Sequence, residues 1–139
     1  MLGHLSFGVT DIERAIAFYD IALAPLGLVR VWTSPNGAGY GYPGGGDLLA
    51  LKPRAGAAPP GAGFHLAFNA ASREAVDAFH AEALRGGGSD NGPPGLRPHY
   101  GPTYYAAFVI DPEGKVSPVL RKVEAAEHDE PVLAGLAAQ

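Results

Sequence analysis

The chain of 139 residues contains no cysteine, few charged residues and no long hydrophobic run. The lack of cysteine excludes disulfide bonds, thiolate nucleophiles and thiolate metal sites. Charged residues make up 17% of the sequence and the net charge is −4, which does not favour nucleic acid or an anionic membrane as a partner. No apolar segment reaches the length of a membrane span, and no N-terminal signal is recognisable. We therefore expect a cytoplasmic protein.

Apolar residues are abundant enough for one compact domain. They form 47% of the chain, and a chain of this length buries a substantial core. The 20 glycines and 13 prolines are concentrated in residues 53–63 and 86–95, between strongly patterned segments. These two stretches are predicted to be loops.

An internal repeat is the most informative feature. Residues 4–27 and 65–88 align without a gap and share nine identical residues, with His4 matched to His65 and Phe7 to Phe68. A repeat of this length indicates one supersecondary unit used twice, and such units usually bury their apolar faces against each other. It also places one histidine at the same point of each copy.

Each copy begins with a short strand and a helix. In residues 4–9, His4, Ser6 and Gly8 alternate with Leu5, Phe7 and Val9. The first set therefore lies on one face of the strand, and the apolar set faces the core. Thr10 and Glu13 have the spacing of a capping box, and Ser72 is the predicted N-cap of the second helix. Strands are then predicted at 28–32, 40–42 and 48–51, with a turn at 34–39, and in the second copy weakly at 97–100, clearly at 104–110 and at 115–123.

This order of elements predicts an α+β fold made of two βαβββ modules. Module one comprises residues 1–52 and module two residues 64–123. Residues 53–63 form the linker between them, and residues 124–139 form a tail. Because a helix covers one face of each small sheet, the opposite faces are expected to form one cup with a histidine from each module at its floor. Concave clefts of this kind bind small molecules.

Three segments carry a resemblance to a known superfamily. They are HLSFGVTDIERAIAFYDIALAPLGL, GFHLAFNAASREAVDAFHAEAL and RPHYGPTYYAAFVIDPEGKV. Together they resemble the vicinal oxygen chelate superfamily, which includes glyoxalase I, extradiol dioxygenases and bleomycin-resistance proteins, over roughly residues 2–123. The resemblance implies a single cup-shaped mixed sheet around a divalent metal (Zn, Ni, Mn or Fe), ligated here by His4 and His65, and a homodimer.

The chain departs from the superfamily at the expected carboxylate ligand. The glutamate that usually follows the last turn would fall on Ser117 or Pro118, and neither offers a carboxylate. Metal sites in enzymes normally have at least three protein ligands, so two imidazoles alone make a weak site. Two functions follow: a glyoxalase- or dioxygenase-like enzyme that chelates adjacent substrate oxygens, or a metal-free protein that binds a drug or metabolite.

Further candidate residues lie near the end of module two. His99 is either a third ligand or general base, or a loop histidine at the rim. Tyr104 and Tyr105 alternate faces, so one hydroxyl is expected to contact the ligand, with Arg97 as a further polar contact. Trp32 is either an aromatic wall of the cup or a half-buried strand residue. Glu113 is predicted to be solvated in a turn.

Overall fold

The computed structural model describes residues 2–114 and 119–122, which form two helices, a short 3₁₀ helix and nine strands within those ranges. The elements are β1 (Leu5–Val9), α1 (Ile12–Ala22), the 3₁₀ helix (Ala24–Leu26), β2 (Val29–Ser34), β3 (Gly37–Gly41), β4 (Leu49–Pro53), β5 (Ala67–Ala70), α2 (Arg73–Arg85), β6 (Ser89–Asp90), β7 (Gly95–Leu96), β8 (Tyr105–Ile110) and β9 (Val119–Lys122).

The strands form two mixed sheets with matching orders. The N-terminal sheet has the order β1-β4-β3-β2, and the C-terminal sheet has the order β5-β9-β8-β6, with β7 also paired to β8. In each sheet the first strand runs parallel to the last, and the other pairs are antiparallel. The predicted α+β class is confirmed. Closure of the two sheets into one cup stays a prediction.

Three predicted boundaries differ from the structure. The turn expected at 34–39 is confined to Pro35 and Asn36, so β3 begins at Gly37. The weak strand expected at 97–100 is wrong, because residues 98–100 form a turn and the pairing lies upstream in β6 and β7. The strand predicted at 115–123 overlaps β9; its other residues, like the tail at 124–139, lie outside the described residues.

The helix caps follow the internal repeat. Asp11 caps α1 by accepting a hydrogen bond from the backbone N–H of Arg14 at 3.1 Å. The capping box predicted at Thr10 is therefore wrong, because the N-cap is the next residue. Ser72 caps α2 as predicted and accepts from the N–H of Ala75. Asp11 and Ser72 occupy equivalent positions of the repeat, so both copies start their helix at the same point.

The two halves share one core, and their helices pack on each other. The largest side chains of this core are completely or almost completely buried: Tyr19, Tyr40, Phe18, Phe79, Leu23, Leu49, Leu51, Val9 and Val76. The ring of Phe18 meets that of Tyr19 edge-on, with 4.8 Å between centroids. Neither of the two described helices is long and apolar enough to cross a membrane.

The faces predicted for β1 are confirmed. Leu5, Phe7 and Val9 point toward the core, whereas His4 and Ser6 are exposed. We call the face of each sheet that is turned away from the helices its open face. His4 and Ser6 therefore lie on the open face of the N-terminal sheet.

Candidate functional site

His4 and His65 are both exposed and precede the first strand of their sheets. By strand alternation each lies on an open face, His4 with Ser6 and His65 with Ala67. Within residues 2–114 and 119–122, no group of three or more His, Asp or Glu side chains is placed to hold a metal ion. Ligation by this pair stays a prediction, and Ser117 and Pro118 lie outside the described residues.

Trp32 is the principal aromatic residue on the open face of the N-terminal sheet. It pairs with Gly39 across β2 and β3, and a Cβ built on Gly39 would lie 2.0 Å from the indole Nε1. The indole therefore lies against the backbone of Gly39, which only glycine permits. Its N–H donates to Asp47 at 3.2 Å. Trp32 is thus held as a half-buried floor of this face.

A register irregularity gives Trp32 this orientation. The pairing of β2 with β3 shifts between Arg30 and Trp32, as in a β-bulge. Arg30 pairs with Tyr40 on the helix side, where its guanidinium binds Asp20 at 3.1 Å. Without the shift, residues two apart would share a face. The bulge therefore sends Arg30 to α1 and Trp32 to the open face, which the sequence pattern did not reveal.

Arg97, Tyr104 and Phe108 lie together on the open face of the C-terminal sheet. The backbone N–H of Arg97 donates to the carbonyl oxygen of Tyr104 at 2.7 Å. The Arg97 guanidinium carbon lies 5.3 Å from the centroid of the Phe108 ring. One guanidinium nitrogen donates to the carbonyl oxygen of Pro93 at 2.7 Å. The structure thus brings two predicted residues together and adds Phe108.

A row of tilted aromatic rings continues from this group. The His99 and Tyr100 rings lie 4.2 Å apart, and the Tyr100 and Tyr104 rings 5.0 Å apart, measured between centroids. His99 is exposed in the turn of residues 98–100. Tyr100 was not among the predicted site residues. The turn of residues 98–100 places its ring between those of His99 and Tyr104. We call Arg97, His99, Tyr100, Tyr104 and Phe108 the aryl face.

Tyr105 lies on the opposite side of β8 from Tyr104. Its hydroxyl donates to Asp77 of α2 at 2.6 Å, and the Arg73 guanidinium lies 4.9 Å from its ring centroid. The hydrogen bond to Asp77, followed by burial, raises the pKa of the Tyr105 hydroxyl. The structure therefore does not bring Tyr105 together with Arg97, His99 and Tyr104.

Glu113 joins the two halves, so the prediction of a solvated side chain is wrong. Its side chain is only 6% exposed, and its carboxylate accepts from the backbone N–H groups of Thr10 and Asp11, each at 2.8 Å. The Arg14 guanidinium lies 3.7 Å away. The partners are about a hundred positions apart in sequence, and no local pattern indicates such a contact.

A buried hydrogen bond lies beside this contact. Asp111 is 4% exposed and accepts from the Tyr19 hydroxyl at 2.8 Å. Burial, followed by the charge of Asp111, raises the pKa of Tyr19. The turn that begins at Asp111 is thus anchored to α1 at two points.

A shallow cavity of about 290 Å³ lies where the linker crosses β1. Its lining residues are Phe7, Gly8, Arg54, Gly56, Ala57, Ala58 and Pro60. A Cβ on Gly8 would lie 3.2 Å from that of Ala57, so the linker passes close to the strand there. The linker therefore borders the end of β1 that is remote from His4.

Comparisons with known proteins agree on one family. The model of the Glyoxalase/Bleomycin resistance protein/Dioxygenase superfamily matches residues 1–116. Among curated protein sequences, none matches the chain significantly.

Solved structures of this group are similar over most of the chain. A glyoxalase/bleomycin resistance protein from Albidiferax ferrireducens T118 is 31% identical, with a TM-score of 0.73, covering 88% of this chain and 96% of that one. A glyoxalase-related enzyme from Fulvimarina pelagi is 21% identical, with a TM-score of 0.65 and coverages of 88% and 86%. A mutant glyoxalase I from Zea mays is 22% identical, with a TM-score of 0.65, covering 92% of this chain and 48% of that one.

Proposed function

The chain belongs to the Glyoxalase/Bleomycin resistance protein/Dioxygenase superfamily, as the sequence predicted, and on that premise we propose that it binds a small organic molecule on its open faces without a protein-held metal ion. The observation that carries this proposal is the floor made by Trp32, which lies against Gly39 and is fixed by Asp47. A rigid aromatic surface with one polar neighbour suits a ligand that presents both an apolar ring and a polar group.

The donor set does not fit the divalent ion expected from the superfamily. His4 and His65 supply two imidazole nitrogen donors, and the part of the chain that the structure describes holds no cluster of three His, Asp or Glu side chains suited to a metal. Ser117 and Pro118 have no carboxylate to contribute. Two imidazoles leave the charge of the ion uncompensated, and they fall short of the three protein ligands of catalytic sites.

A metal-dependent enzyme of the glyoxalase or dioxygenase type is the second candidate. The observation in its favour is that His4 and His65 occupy the same position of the repeat and are both exposed. A Zn, Ni, Mn or Fe ion bound by this pair would have positions left for substrate oxygens.

We further propose that two copies of the chain form the functional unit, with the two modules and linker divided as the sequence predicts. Among the described strands, β1 pairs only with β4 and β5 only with β9, so each has an edge without a strand partner. Unpaired edges favour association with another strand. Within one chain the two halves pack through their helices. This arrangement supports the proposal that a second copy of the chain completes the binding cup. Size-exclusion chromatography with light scattering tests this directly.

The two candidate functions separate in one set of measurements. Protein purified without a histidine tag is analysed for bound metal, together with His4→Ala and His65→Ala variants. Our proposal predicts no stoichiometric metal, together with melting-temperature increases on addition of organic ligands, since a ligand that binds the folded state stabilises it. Stoichiometric metal that is lost in both variants would instead support the enzyme hypothesis.

A further inference from the structure

The aryl face has the chemistry to select one class of ligand. We propose that this ligand is an aromatic acid, whose carboxylate pairs with Arg97 while its ring packs against Tyr100 and Tyr104. This inference rests on the proposed function, because it names the class of small molecule bound.

Arg97 provides a cation without an acidic partner among the described residues. The polar contacts of its guanidinium are to backbone carbonyl oxygens, those of Pro93 at 2.7 Å and of Leu96 at 3.5 Å. Arg30 differs in this respect, because its guanidinium nitrogen lies within 4 Å of a carboxylate oxygen of Asp20. A guanidinium has five N–H donors in a planar fork, which matches a carboxylate. Arg97 therefore retains donors for an anion.

The rings beside Arg97 supply the apolar half of the site. Tyr100 is 56% exposed and lies between His99 and Tyr104, with ring separations of 4.2 and 5.0 Å. The Tyr100–Tyr104 separation falls within the range of favourable aromatic pairs, and the two rings are tilted by 42°, so a further ring can pack against the exposed Tyr100. A saturated ring of equal size would bury similar area but gain less from this contact.

The loop before β7 fixes the guanidinium in place. A Cβ built on Gly92 would lie 3.2 Å from a terminal nitrogen of Arg97 and 3.4 Å from the Cβ of Phe108. The backbone φ of Gly92 is +145°, a conformation that other residues rarely adopt. Arg97 is thus enclosed between a glycine backbone and an aromatic ring. Such preorganisation lowers the entropy cost of binding an anion.

The test compares three ring compounds of similar size: benzoate, benzamide and cyclohexanecarboxylate. Saturation-transfer NMR titrations of the full chain measure weak affinities for each. We expect benzoate to bind at least about tenfold more tightly than benzamide, because only benzoate forms a charge-assisted pair. In Arg97→Met we expect benzoate to lose about 10- to 100-fold in affinity while benzamide changes little. In Tyr104→Leu the preference for benzoate over cyclohexanecarboxylate should shrink.

Arg85→Met is the matched control, since Arg85 lies on α2 and pairs with Glu82. It should bind benzoate like the unaltered chain. Thermal melts establish that each variant is folded. If Arg97→Met does not fold, Arg97→Lys keeps the charge but loses the fork, and its affinity for benzoate should fall several-fold.

Equal affinities for benzoate and benzamide, or unchanged benzoate binding in a folded Arg97→Met variant, would overturn the inference. If neutral molecules alter Trp32 emission but benzoate does not bind, the aromatic-acid class fails and the proposed function stands. If no organic molecule binds, both fail.

Discussion

Removal of the Glu113 carboxylate should destabilise the whole domain, because this side chain joins the last turn to the start of α1. It accepts two backbone N–H groups at 2.8 Å and is 6% exposed. Hydrogen bonds to charged groups contribute about 1.5–3 kcal/mol each, and here the donors are exposed, so water replaces part of each bond. The carboxylate also lies at a helix N-terminus, which adds about 0.3–1 kcal/mol. We therefore expect Glu113→Ala to lower the free energy of unfolding by about 2–4 kcal/mol.

Urea unfolding followed by circular dichroism measures this change. Glu113→Gln keeps an acceptor oxygen without the charge and should cost about half as much. Glu82→Ala is the control, since its ion pair with Arg85 lies within one exposed helix face and contributes less than about 1 kcal/mol. A loss below about 0.5 kcal/mol in Glu113→Ala, or a loss equal to that of Glu82→Ala, would refute the reasoning.

Three further predictions concern single side chains. Gly39→Ala places a methyl group where the Trp32 indole lies, so the emission of this lone tryptophan should shift to longer wavelength in a fluorescence spectrum; an unchanged maximum would contradict the close contact. Tyr105→Phe removes the hydrogen bond to Asp77 on the helix side, and it should cost about 1 kcal/mol in urea unfolding while ligand affinity stays the same. Burial raises the pKa of Tyr19, so the stability it contributes is complete below about pH 10, the pKa of an unfolded tyrosine, and declines at higher pH; a Tyr19→Phe variant should show a smaller decline between pH 9 and 11.

The repeat and the alternation of residues predicted most of the fold because these signals are local. The periodicity of the first helix matches α1, and the polar face at His4 is exposed as expected. The cap was misplaced by one residue, since Thr10 and Asp11 both have capping side chains and only backbone geometry distinguishes them. Strands β6 and β7 are two residues long, too short for any periodic pattern.

The parts of the candidate site that depend on distant contacts could not be predicted. The bulge before Trp32 changes which face its indole occupies, and an alternating pattern cannot reveal an extra residue. The partners of Glu113 lie in the other half of the chain. By contrast, Arg97, His99 and Tyr104 lie on one short hairpin, where proximity in sequence gives proximity in space, and their role in binding stays a prediction.

Ligand binding without a metal ion is tested most directly by titrating an organic ligand that raises the melting temperature, while recording Trp32 emission. The titration is performed in EDTA and again with added Mn²⁺ or Zn²⁺. We predict a saturable change in emission with the same dissociation constant under both conditions, and with unaltered affinity in His4→Ala. Binding that occurs only with the added ion, and is lost in both His4→Ala and His65→Ala, would contradict this account.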